Sequence, residues 1–133
     1  MTDAARARRV LVVDDEQDVR DLLTCMLSSE GYEVTTAADG VQALAAATAG
    51  GFDVTTVDLR MPGLGGRETL VALRRLAPSM PVIVVSGYVT AAEAHALRAL
   101  GAFAVLPKPF NVHSLLQAVT QACGQEENTL PGS

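Results

Sequence analysis

The sequence predicts one α/β domain, a doubly wound five-stranded parallel sheet with helices on both faces. Three observations carry that expectation. Short β-branched runs alternate with longer Ala/Leu-rich segments along the chain. The runs are apolar on both faces, as strands covered on both sides must be. The segments between them repeat their hydrophobic residues at helical spacing. With 49% hydrophobic and 19% charged residues in 133, the chain can bury a core of its own.

The first run, VLVV at 10–13, leads into a stripe in which Val19, Leu22, Leu23, Met26 and Leu27 recur at i, i+3, i+4, i+7 and i+8. Gly31 stands where that helix must end, and YEVTTA at 32–37 forms the next strand. Asp39 is the expected N-cap of a helix over 40–49, closed by Gly50-Gly51. FDVTTV at 52–57 precedes a stripe at 66–77, and PVIVV at 81–85 precedes one at 91–100 that ends at Gly101. AFAVL at 102–106 is the fifth strand, and Asn111 caps a last helix through 123. The domain therefore spans 8–123, and 124–133, GQEENTLPGS, reads as a polar tail or linker.

A net charge of −5 and a pI near 4.8 argue against direct contact with nucleic acid. The one basic run, Arg6, Arg8 and Arg9, reads as a solvated N-terminal arm. No apolar stretch reaches membrane-spanning length, and the short run before Asp14 is no signal peptide. Cys25 and Cys123 lie far apart without metal-site spacing, which suits free thiols in a reducing cytoplasm. His95 and His113 fall in predicted helices and read as solvated or half-buried side chains.

Doubly wound sheets place their chemistry at the carboxyl ends of the strands. There the sequence puts Asp14 and Asp15, Asp58, Ser86 and Lys108. Taken singly, each has an ordinary explanation: Asp14-Asp15-Glu16 could serve a helix dipole, Asp58 a loop cap, Ser86 a turn. Together they would gather three acids, a hydroxyl and an ammonium on one rim. Such a cluster invites a cation, and oxygen-only ligands with room for water suit Mg2+. A carboxylate nucleophile beside Mg2+ and a lysine is equipment for phosphoryl transfer. The stretch LPKPF, 106–110, fits this reading, since flanking prolines stiffen the mount of Lys108.

The pieces VLVVDDE (10–16), DLRMPGLGG (58–66), VVSGY (84–88) and KPF (108–110) resemble the receiver domain of two-component response regulators, of the CheY-like family with a flavodoxin-like (βα)5 fold. The resemblance implies that Asp58 is the phosphoacceptor, Asp15 a direct Mg2+ ligand and Asp14 a mainly water-mediated one. It implies further that the Arg60 backbone carbonyl completes the metal ligands. Ser86 would be the switch hydroxyl, and Lys108-Pro109 would be joined by a cis peptide bond. The donor would be a phosphohistidine on a sensor histidine kinase or phosphotransfer protein. The output would be a homodimer or partner contact through the 90–123 face.

Three positions depart from the family pattern: Val105 where an aromatic is usual, Gly65 where aspartate is frequent, and Pro107 where a residue other than proline is commoner. Valine is too short and stiff for the aromatic swing, so Tyr88 is the expected relay, with Phe103 on Val105's strand face and in the core.

Other classes read less well. A nucleotide-dependent oxidoreductase would need a glycine turn where Asp14-Asp15-Glu16 stands, and Gly63-Leu64-Gly65-Gly66 reads instead as a flexible loop closing over the metal. An aspartate phosphatase would want a second carboxylate two residues after Asp58, where Arg60 sits. A receiver that binds partners without phosphorylation would not need the full set of acceptor residues.

Overall fold

The computed structural model of the chain describes residues 7–61, 63–87, 89–108 and 111–124. Among the described residues, five strands and five helices alternate in the expected order: β1 (Arg9–Val13), α1 (Gln17–Ser29), β2 (Glu33–Ala37), α2 (Gly40–Ala49), β3 (Val54–Asp58), α3 (Gly66–Leu76), β4 (Val82–Ser86), α4 (Ala91–Ala99), β5 (Ala104–Pro107) and α5 (Val112–Cys123). All strand pairs are parallel, in the order β2-β1-β3-β4-β5. The chain leaves β1 for one edge of the sheet and returns as β3 on the other side of β1. The carboxyl ends of β1 and β3 thus flank the switch point, where a doubly wound sheet opens its crevice.

Alternation along each strand divides the core. Leu11, Val13, Val57, Val82 and Val84 meet Ala43, Ala47, Leu70, Leu73 and Leu97 of α2, α3 and α4. Val10, Val12, Val54, Ile83 and Val85 meet Leu23, Leu27, Leu115 and Val119 of α1 and α5. Each fully buried Val, Leu or Ile among them contributes about 1.5–3 kcal/mol. The central strands are consequently dry on both faces, which excludes water from beneath the rim.

The caps set the helix starts. Asp39 Oδ1 accepts from Gln42 N at 2.8 Å, and Asn111 Oδ1 from His113 N at 2.7 Å. A further cap, the reciprocal box in which Thr90 Oγ1 accepts from Glu93 N and Glu93 Oε1 from Thr90 N, was not singled out in the sequence.

Four expectations need correction. Arg9 is no solvated arm: its guanidinium donates to Gly50 O, pairs with Glu33 Oε1 at 3.1 Å and lies over the Phe52 ring. Its backbone N–H also donates to Asp53 Oδ2 at 2.8 Å, so β1 begins there. Leu22, counted in the apolar stripe of α1, is 50% exposed, because Leu23 and Leu27 already fill the contact. Phe103 sits opposite Val105 and not beside it, because it occupies a bend before β5 begins and period-two alternation has not started. The run Gly63–Gly66 is not all loop, since Gly66 is buried and opens α3. A Cβ there would strike the Leu59 Cα and the Asp58 carbonyl, so only glycine lets α3 start so close to β3.

Candidate functional site

Each rim residue is delivered by the end of a strand. Asp58 is the last residue of β3, and Leu59 N donates to Val85 O at 2.9 Å, fastening that end to β4. Ser86 ends β4 with no exposure, and its carbonyl accepts from Lys108 N at 2.6 Å. That bond fixes the backbone of Lys108 just beyond β5. Asp14 follows β1 and donates its N–H to Ala37 O of β2 at 3.1 Å.

The ammonium of Lys108 reaches back across the switch point. Its Nζ lies 3.2 Å from Asp14 Oδ2, 3.4 Å from Asp58 Oδ2 and 3.9 Å from Glu16 Oε1. Asp14 and Asp58 are only 3% and 5% exposed. One cation is therefore shared by two buried carboxylates. Oxygens of Asp14, Asp15 and Asp58 all lie within 4.8 Å of one another, so the three predicted acids do converge.

The remaining oxygens distinguish the acids. Asp14 Oδ1 accepts from Glu16 N at 2.9 Å, which occupies both of its carboxylate oxygens. Asp58 Oδ1 accepts from Arg60 N at 3.3 Å, so its loop-capping role is real but uses one oxygen only. Asp15 is exposed and enters no hydrogen bond or ion pair among the described residues. The helix-start explanation accounts for only part of the acidic run: Glu16 is the N-cap of α1 and places its charge at the favourable end of the dipole, yet its side chain caps no backbone donor.

Burial pushes the Asp58 carboxyl above its ordinary value of 3.8, with the Asp14 charge adding to the effect and Lys108 opposing it. Burial alone would pull the Lys108 ammonium down, but the Asp58 and Asp14 charges outweigh it and hold the lysine above 10.5. The site is short of positive charge, which is the condition under which a cation binds.

Two contributors escaped the sequence reading. Glu16, read as part of an acid run, is a third partner of Lys108. Arg20 donates from Nη1 to the Asp14 carbonyl at 2.6 Å and pins the turn between β1 and α1. Its only sequence signal was a cation in the first turn of a helix, where the dipole disfavours it. Val105 is partly buried against the α2–α3–α4 side of the core, paired with Val84. Tyr88, Pro109 and the expected cis bond before Pro109 lie outside the described residues, as does 125–133. His95 and His113 are exposed on α4 and α5.

A family model described as the response regulator receiver domain matches residues 10–120. The chain belongs to that family. A response regulator receiver protein of Anaeromyxobacter sp. (strain Fw109-5) is 40% identical over 109 residues, covering 82% of this chain and 46% of that protein. The chain spans about half the length of that relative, and about a quarter of others such as the Escherichia coli (strain K12) transcriptional regulatory protein GlrR. Among solved structures, a CheY-like receiver domain protein from Methanospirillum hungatei JF-1 superposes with a TM-score of 0.87 at 31% identity, covering 92% of this chain and 98% of that one. CheY of Borrelia burgdorferi, solved with CheX, BeF3 and Mg2+, has a TM-score of 0.85 at 27% identity, covering 91% and 92%. The five-stranded receiver fold and the signalling class follow from these matches. Among the described residues, no helix is long and apolar enough to cross a membrane.

Proposed function

We propose that this receiver domain takes a phosphoryl group onto Asp58 from a phosphohistidine of a sensor histidine kinase or phosphotransfer protein, and that the modification changes the face it offers to an output partner. The observation that carries the reading is the placement of Lys108 between two buried acids, one of them ending β3 at the switch point. The donor set fits Mg2+: three carboxylates converge, all ligands are oxygen, and the one exposed acid is unengaged. Asp15, Asp58 and the Arg60 carbonyl would hold the metal directly. Asp14, with both oxygens occupied, would act through water. When bound, Mg2+ neutralises charge on the phosphoryl oxygens.

The chain's own residues do the rest. An Asp58 carboxylate oxygen attacks phosphorus; the O–P bond forms as the P–N bond breaks, and the imidazole leaves with the electron pair. Lys108 keeps its ammonium beside Asp58 and follows the new charge onto the phosphoryl group. Ser86, buried at the end of β4, donates its hydroxyl to the phosphoryl oxygens. Tyr88 carries that movement outward, since Val105 is too short to do so, and the 90–123 face responds. The chemistry is limited to self-phosphorylation and autodephosphorylation. Arg60 replaces the second carboxylate that phosphatase turnover needs. Free thiols at Cys25 and Cys123 are compatible with action in the cytoplasm.

Incubation with Mg2+ and acetyl phosphate, followed by intact-mass analysis, tests the reading. A gain of one phosphoryl group, stable in acid and labile in base, is expected for the wild-type chain and absent in Asp58→Asn. Uptake at an undiminished rate in that variant would overturn the assignment.

A further inference from the structure

A groove of about 770 Å3 lies between α2 and α3, on the side of the domain away from α1 and α5. Leu44, Val71, Leu76 and Leu100 give it an apolar lining, and Leu76 and Leu100 remain 45% and 36% exposed there. Arg67, Glu68 and Arg75 form its rim. Arg67 and Arg75 are exposed and make no hydrogen bond or ion pair among the described residues. Eight positions apart on α3, they stand roughly 12 Å from each other along the axis.

The two arginines differ in how the helix accounts for them. Arg75 lies in the last turn, where the dipole favours a cation. Arg67 lies in the first turn, where the dipole opposes it and favours Glu68 instead. Two arginines against one glutamate make the rim net positive on a chain of net charge −5, and it borders the exposed Leu76 and Leu100. That combination matches an amphipathic helix laid along α3 with acids at its margins.

We propose that the α2–α3 groove docks an acidic amphipathic helix of a partner protein, with leucine-type side chains in the groove and carboxylates two turns apart on Arg67 and Arg75. The apolar lining supplies area, and the rim charges supply choice of partner and register.

The test uses the full chain labelled with 15N and a synthetic helix of roughly 14 residues with leucines at i, i+3, i+4 and i+7 and glutamates at both margins. Shift changes should concentrate at 41–48, 67–76 and 97–101. Combining Arg67→Glu with Arg75→Glu should weaken binding roughly tenfold, and the same peptide with lysines in place of glutamates should then bind the variant better. Arg67→Gln with Arg75→Gln repeats the measurement if charge reversal disturbs folding, with a smaller loss expected. Equal binding of the glutamate and lysine peptides to wild type, shifts confined to other surfaces, or undiminished affinity in the variants would overturn the proposal. So would movement of the groove resonances on dilution of the chain alone, which would make a second copy the occupant.

Discussion

Replacing Asp58 by asparagine should make the metal-free protein more stable, although it removes the residue on which the proposed chemistry depends. At an effective dielectric of about 20, the 3.4 Å contact with Lys108 is worth about 5 kcal/mol of attraction. Repulsion from Asp14, whose oxygen lies within 4.8 Å, returns at least about 3.5 kcal/mol. The remainder, about 1.5 kcal/mol, must offset the several kcal/mol needed to strip water from a buried carboxylate. Ionised Asp58 is therefore a net burden, in agreement with its raised pKa. The amide keeps the shape and one acceptor oxygen, enough for Lys108 or Arg60 N but not both, while removing the charge. We expect a gain of about 1–2 kcal/mol in EDTA at neutral pH, or roughly 4–7 °C in Tm for a domain of this size. The sign with pH follows from the same shift. A carboxyl raised in the native state favours folding below its ordinary value of 3.8 and loses that advantage as pH rises through the native value. The excess stability of Asp58→Asn should thus be small in acid and grow toward neutrality. Added Mg2+ should stabilise wild type more than the variant, because the variant lacks one anionic ligand. Thermal unfolding followed by circular dichroism, with EDTA or Mg2+, reads all of this. A variant less stable than wild type in EDTA would refute the reasoning.

Lys108→Met should lower stability in EDTA by about 1–3 kcal/mol, since it leaves two buried carboxylates facing each other, and adding Asp58→Asn should recover part of that loss in denaturant titrations. Gly66→Ala should cost at least about 2–3 kcal/mol, because its Cβ meets the backbone of Asp58 and Leu59, whereas Gly87→Ala faces open space and should be close to neutral in the same assay. Iodoacetamide should label Cys25 in the native protein and reach Cys123 only after unfolding, since Cys25 is exposed and burial pushes the Cys123 thiol up to about 11. For the same reason the stability that the neutral Cys123 thiol contributes is complete below about 9 and is lost as pH rises toward 11, a slope that Cys123→Ala should remove from alkaline unfolding curves.

Element order was legible in the sequence because it rests on local physics. Apolar runs too short for helices, stripes at helical spacing, Asp39 and Asn111 at helix starts and Gly50-Gly51 and Gly101 at their ends act within a few residues of one another. The site was legible for a different reason. Strand order in a doubly wound sheet brings carboxyl ends to one rim, so Asp14, Asp15, Asp58, Ser86 and Lys108 could be assembled without coordinates. Other features depended on neighbours remote in sequence. Arg9 left the expected arm because Gly50, Glu33 and Phe52 offer it partners that only the folded sheet brings close. Phe103 changed sides because a bend of one residue resets the alternation that sequence reasoning must assume. Asp14 and Asp15 are the same residue type in adjacent positions, yet one is 3% exposed and bound twice while the other is exposed and unengaged. Sequence alone determined that acids and an ammonium would meet at the end of the sheet. The tertiary structure decided which acid is buried, which oxygen the ammonium reaches and which stays open to a metal, because desolvation and charge pairing act through distances of 3–5 Å that no spacing along the chain encodes.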